Sequence, residues 1–238
     1  MWVIVGIVLA AFILIAVVSS LDKKPSIGQA DPRDSATAAA AGGQIGWPTP
    51  QWPDQHKANL GPEADNGRHT NPIHGTVSGF HFVSYRTQWS FHPSSSPGVI
   101  FSYHADAVAI VGISQNLPDL EIISAHGDWR VTLNERSFDD RKFTSGDADF
   151  DTQWSFYSGD AGHAKPLLTA QAKEVLTVLD QTVGALRIRV HGGVLHAWFK
   201  AKEDVRSQDQ AYLRYLQALS VLARILNAAA HEHQPNRY

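Results

Sequence analysis

Asp147, Asp149 and Asp151 alternate directly after Gly146, the spacing that opens a calcium-binding loop. Such a loop needs Gly at its sixth position and a bidentate Glu at its twelfth, where this chain has Thr152 and Ser158. The expectation is instead a strand edge, on which alternation turns all three carboxylates toward solvent and their charge discourages edge-to-edge pairing. The 12 histidines raise the question of a metal. His231 and His233 lie in a C-terminal tail and lack a third donor. His191 and His196 flank a glycine turn with no third ligand to name, and His81 and His104 alternate with apolar residues as ordinary strand positions. Ser, His and Asp are so abundant that a triad can be assembled almost anywhere, and none is nominated. The chain has no Gly-x-Ser-x-Gly elbow, no phosphate-cradling P-loop, no Gly-x-Gly-x-x-Gly and no His-Glu-x-x-His. No catalytic residue, metal ligand or cofactor is expected.

What remains is surface chemistry. The chain carries 7 Trp and 10 Phe against a single Met, more aromatic bulk than a small core needs. Buried aromatic anchors dominate protein–protein hot spots. Trp2, Trp47, Trp52, Trp89 and Trp154 are the candidate partner contacts. Trp47 and Trp52 stand in Trp-Pro-Thr-Pro-Gln-Trp-Pro, which suits an extended segment docking on a partner or on its own domain. A membrane-tethered domain whose groove between sheet and helices holds a lipid acyl chain or small ligand is the alternative reading, and a metal-dependent hydrolase is the second.

These residues must be positioned by elements that composition begins to define. The 20 Lys plus Arg against 23 Asp plus Glu leave no basic surplus for nucleic acid, and the absence of Cys excludes disulfides and thiolate chemistry. None of those charges falls within residues 1–21. Trp2 to Leu21 is 20 residues long, which at ~1.5 Å per helical residue spans ~30 Å of hydrocarbon. A signal peptide would need a basic region ahead of a shorter apolar core. A retained anchor at 1–21 is expected, and Lys23 and Lys24 place the rest of the chain in the cytoplasm. Residues 22–75, rich in Ala, Gly and Pro, read as a flexible linker.

Residues 76–230 read as an α+β domain, followed by a disordered tail at 231–238. Strand patterns cover Val77 to Phe91, Val99 to Phe101, Ala107 to Ile113, Leu120 to Ser124, Trp129 to Leu133 and Phe150 to Tyr157. A helix with Leu167, Leu168, Val175, Leu176, Leu179 and Val183 stops at Gly184. A hairpin turns at His191-Gly192-Gly193, and a closing helix from about Ser207 carries a stripe of Tyr212, Tyr215, Leu216, Leu219, Leu222, Ala223 and Leu226. The order points to helices packed on one face of a mostly antiparallel sheet. The pentapeptide Thr87-Gln88-Trp89-Ser90-Phe91 returns as Thr152-Gln153-Trp154-Ser155-Phe156, which raises an internal duplication.

The layout as a whole resembles a known family. A Met1-Trp2 start runs into a charge-free anchor, then Lys23-Lys24, an Ala/Pro linker and an α+β domain. That domain holds Phe150…Trp154, a helix opening at Leu167-Leu168-Thr169, a Gly192-Gly193 hairpin and a closing Tyr/Leu helix. This resembles the TtfA family, the trehalose monomycolate transport factors of mycolate-making actinobacteria. The resemblance implies a non-enzymatic accessory protein that associates with an RND-type lipid transporter in the inner membrane and supports trehalose monomycolate export for the cell envelope. It assigns no residue a role.

Overall fold

Glycine decides the centre of the sheet. Gly192 and Gly193 take φ of 56° and 80°, the left-handed pair that a tight hairpin turn demands, and they join β8 (Ala185–His191) to β9 (Val194–Lys200) as expected. A computed structural model of the chain describes residues 32–52, 68–91, 101–126, 139–200 and 209–232. All of them belong to one compact unit, Asp31–Tyr238. The expected anchor with Trp2, the strand at Trp129 to Leu133 and the tail after Glu232 lie outside the described residues. Among the described residues no helix is long and apolar enough to cross a membrane.

Nine strands form one sheet in the order β1-β2-β3-β4-β9-β8-β5-β7-β6, each pair antiparallel. They are β1 (Gln44–Ile45), β2 (Arg68–Val77), β3 (Phe80–Phe91), β4 (Phe101–Val111), β5 (Leu120–Ser124), β6 (Lys142–Phe143), β7 (Trp154–Tyr157) and the β8–β9 hairpin. The helices are α1 (Pro32–Ala40), α2 (Ala148–Gln153), α3 (Ala161–Ala164), α4 (Ala170–Val183) and α5 (Asp209–Glu232). The α+β architecture expected from sequence is the observed one.

Strand alternation gives the sheet two different faces. Phe82, Val108, Ile110, Ile122, Phe156, Leu186, Ile188 and Phe199 join one core cluster with Leu176, Leu179 and Val183 of α4. Every residue of the expected α5 stripe, Tyr212 to Leu226, is buried in that same cluster. Thr169 caps α4 by accepting from the Ala172 amide, and Gly184 ends it at φ 84°. Asn227 of α5 accepts from the Ser114 amide at 2.7 Å, which ties the long helix to the β4–β5 loop.

Two expectations are corrected. The segment read as linker contains α1, β1 and most of β2. Its Ala38, Ala41 and Ile73 are buried in the main core, and α1 packs on α5. Small alanines fill that contact where composition alone sees only a weak hydrophobic signal. Gly43 and Gly75 let the backbones touch: a Cβ on Gly43 would lie 2.7 Å from the His74 carbonyl, and one on Gly75 2.9 Å from the Gly43 Cα. The acidic triplet, in turn, is no strand edge. Asp147 caps α2 by accepting from the Phe150 amide at 3.1 Å, Asp149 lies in the first turn, and Asp151 accepts from the Ser145 amide at 2.9 Å. The apolar period of two here was overridden by N-cap chemistry and an acidic first turn. The Phe150 amide, ahead of the Lys173 ammonium, holds the Asp147 carboxyl below its ordinary range.

The repeated pentapeptide takes two conformations. Thr87–Phe91 lies wholly in β3, whereas Thr152 and Gln153 end α2 and only Trp154–Phe156 are strand.

Candidate interaction face

The second face of the sheet carries the unusual chemistry. β4 turns Ala105, Ala107 and Ala109 toward it, all buried. Ala107 sits opposite Tyr85 of β3 on one side and opposite Trp198 of β9 on the other. Because these methyl groups are short, the Tyr85 hydroxyl reaches across β4 to His196 Nε2, 2.8 Å away in a buried hydrogen bond. His196 stacks on Trp198, with centroids 4.8 Å apart and planes 20° apart. The Arg187 guanidinium lies over the Trp198 ring at 4.9 Å. From there Arg187 Nε donates to Glu121 Oε1 of β5 at 2.5 Å, with side-chain exposures of 1% and 7%. A continuous polar and aromatic chain thus runs from β3 to β5 across the middle of the sheet.

The proline-bounded tryptophans close the β3 end. Gly46 is pinned to β2 twice: its amide donates to the Pro72 carbonyl at 2.8 Å, and its carbonyl accepts from His74 Nδ1 at 2.9 Å. That places Trp47 on Tyr85, 5.4 Å between centroids, and stacked on Trp52 at 5.4 Å and 15°. A turn in which the Trp52 amide donates to the Thr49 carbonyl brings Trp52 back edge-on to Tyr85 at 6.2 Å. Trp52 is buried and Trp47 half-buried, while Pro48, Thr49, Pro50 and Gln51 stay exposed. Of the two docking modes open from sequence, the structure has the segment on its own domain. His69 of β2 completes the cluster edge-on to Tyr85 at 5.0 Å, and burial pushes its pKa below the ordinary value of 6.5.

The candidate anchors therefore separate. Trp47 and Trp52 come together on this face. Trp154 does not join them: it is 3% exposed on the helix side, stacked on Phe150 at 5.8 Å, and it is a core residue. Its strand neighbours alternate, so the side chain follows Phe156 inward. Trp89 occupies a position in β3 paired with Tyr103; its side chain, like Trp2, is outside the description. The histidine pair at the hairpin does not meet either, since His191 Nδ1 bonds Asp119 while His196 turns to Tyr85. His81 and His104 are exposed strand residues, and α5 runs on through His231 to Glu232. Among the described residues no group of three His, Asp or Glu gathers at metal-binding distance.

Sequence reasoning missed Tyr85, Glu121, Arg187, His196 and Trp198. The available signal was Arg187 and Arg189 alternating with Leu186, Ile188 and Val190 in β8, which marks a face with charge to bury.

No family model and no curated protein matches the chain. Among solved structures, the crystal structure of the mycobacterial trehalose monomycolate transport factor A, TtfA, superposes with a TM-score of 0.51 at 12% identity, covering 82% of this chain and 94% of that one. The chain has a TtfA-like fold. At that identity the likeness concerns architecture and gives no residue a role.

Proposed function

We propose that the chain is a non-enzymatic accessory factor of trehalose monomycolate export. Residues 2–21 anchor it in the inner membrane, and the domain faces the cytoplasm and binds an RND-type lipid transporter. The observation that carries this reading is the TtfA-like fold, which takes in most of both chains. The sequence layout supports it too, with a charge-free stretch and then Lys23 and Lys24 ahead of the domain. Trp2, Trp47 and Trp89 are the tryptophans assigned to the partner, with Trp52 holding Trp47 in place. Trp47 is the best supported, because it is only partly buried while its rings are fixed on Trp52 and Tyr85. A rigid, half-exposed aromatic loses little entropy when a partner covers it.

Copurification from detergent extracts of the native host tests this. The full-length chain is expected to retain an RND-type transporter, and Trp47→Ala to retain less of it while the fold persists. Full recovery of the chain in the soluble fraction, without detergent, would overturn the anchor. A clean pull-down lacking any transporter would overturn the partnership.

A further inference from the structure

A small cavity of about 130 Å³ opens beside the Glu121–Arg187 pair, where β5 and β8 meet the turn after β7. Glu121, Tyr157 and Ser158 form its walls, each more than nine-tenths buried by exposure values of 6%, 9% and 6%. Arg189 of β8, half-buried, and Arg141, exposed just before β6, also line it, as does Asp119. Both carboxylates already have cationic or hydrogen-bonding partners. Glu121 accepts from Arg187, and Asp119 bonds His191 Nδ1 at 2.5 Å. Arg189 enters none of the ion pairs among the described residues. Its backbone register opposite Glu121 fixes it on the same sheet face as Arg187, two residues earlier. In the lining, Arg141 and Arg189 stand against Asp119 and Glu121, and Arg187, outside the lining, pairs with Glu121.

Those features set the class of ligand. Guanidinium forks bind planar or tetrahedral oxyanions with paired N–H donors, and a partly buried site weakens the competition from water. The cavity suits a group of phosphate size rather than an extended chain, and with Glu121 paired to Arg187 its lining offers Arg189, which enters no ion pair among the described residues. We propose that this cavity binds a phosphate-type oxyanion, with Arg189 as the principal donor and Arg141 as the second. The Glu121 charge is met by Arg187, and Asp119, exposed on the rim, is hydrogen-bonded to His191. A phosphate has two plausible carriers, a soluble phosphate compound or the headgroup of an anionic phospholipid. The site is independent of the transporter reading and stands or falls apart from it.

Two probes test it with the full-length chain in a non-ionic detergent or in vesicles. The first is titration calorimetry with inorganic phosphate, against chloride at equal ionic strength. The second is photocrosslinking of the vesicle-reconstituted chain to phosphatidylglycerol, compared with phosphatidylcholine, because an anchored chain floats with any vesicle. Losing the fork in Arg189→Gln should weaken binding about tenfold or more, with Arg189→Lys intermediate and Arg141→Gln weaker than wild type. Arg214→Gln, on the exposed side of α5, should bind like wild type and serves as the charge-matched control. Phosphate binding with this dependence assigns the site to a soluble carrier. Preferential crosslinking to phosphatidylglycerol with this dependence, without free phosphate binding, assigns it to a lipid headgroup. Absence of both, or binding that Arg189→Gln and Arg214→Gln reduce equally, overturns the proposal. Thermal melts of each variant confirm that it folds, and Arg189→Lys keeps the test valid where Arg189→Gln melts early.

Discussion

Cutting the buried Glu121–Arg187 pair on one side only should be the most damaging polar change on the second sheet face. Both side chains are almost wholly removed from water, at 7% and 1% exposure, and Nε and Oε1 are in direct contact. Two unit charges at ~4 Å attract by about 4 kcal/mol at an effective dielectric near 20, and the cost of desolvating both offsets most of that. Removing one partner keeps the desolvation cost of the other and loses the attraction, for a destabilisation of about 3–5 kcal/mol. Glu121→Leu and Arg187→Met should each approach that figure. The double variant should recover most of it, since Met retains an apolar stem over Trp198, which Arg187 now covers at 4.9 Å. With each single variant costing about 3–5 kcal/mol and the double variant only about 1, the expected coupling in the double-mutant cycle is about 5 kcal/mol or more. Urea unfolding of the full-length chain in non-ionic detergent, followed by tryptophan fluorescence, reads it. With a urea dependence of about 2 kcal/mol per molar, single-variant midpoints fall by about 2 M. Coupling below about 0.5 kcal/mol, the level of independent sites, would refute the claim that the two charges hold each other in the sheet.

Trp52→Ala should cost about 3 kcal/mol or more, as for other buried Trp-to-Ala changes, and Trp47→Ala distinctly less because Trp47 is only half-buried; thermal melts compare them. If Trp52→Ala is neutral, the tryptophan segment is not docked on Tyr85. Burial lowers the His69 pKa below 6.5, so the folded state takes up that proton less readily than the unfolded chain. His69 therefore costs nothing above pH 6.5 and destabilises progressively as pH falls through 6.5 toward its folded value. His69→Gln should flatten this part of a stability–pH curve between pH 7.5 and about 5, and an unchanged slope would contradict the burial argument.

Periodicity made the helical side of the molecule legible. The α5 stripe from Tyr212 to Leu226 and the Leu176, Leu179 and Val183 face of α4 are one-sided apolar patterns, and they bury as one core. Gly184 and Gly192-Gly193 punctuate where local backbone demands them. The elements missed were those whose stability comes from tertiary contact. α1 is Ala-rich with a weak stripe and is helical against α5. β2 contains Pro72, next to Asn71 at φ 52°, and tolerates it at an irregularity of register near the sheet edge. The candidate face divides the same way. The two tryptophans were visible because exposed Trp between prolines is unusual. Tyr85 and His196 are 111 residues apart and Glu121 and Arg187 are 66 apart, so only strand register brings them together.

The proposed role is that of a TtfA-like fold on a membrane tether that supports trehalose monomycolate export. Its most direct test is depletion of the chain in its native host, with pulse-labelled mycolates resolved by thin-layer chromatography. Trehalose monomycolate is expected to accumulate while its envelope products fall, and the wild-type chain to restore both. Unchanged ratios of monomycolate to envelope mycolates after complete depletion would contradict it.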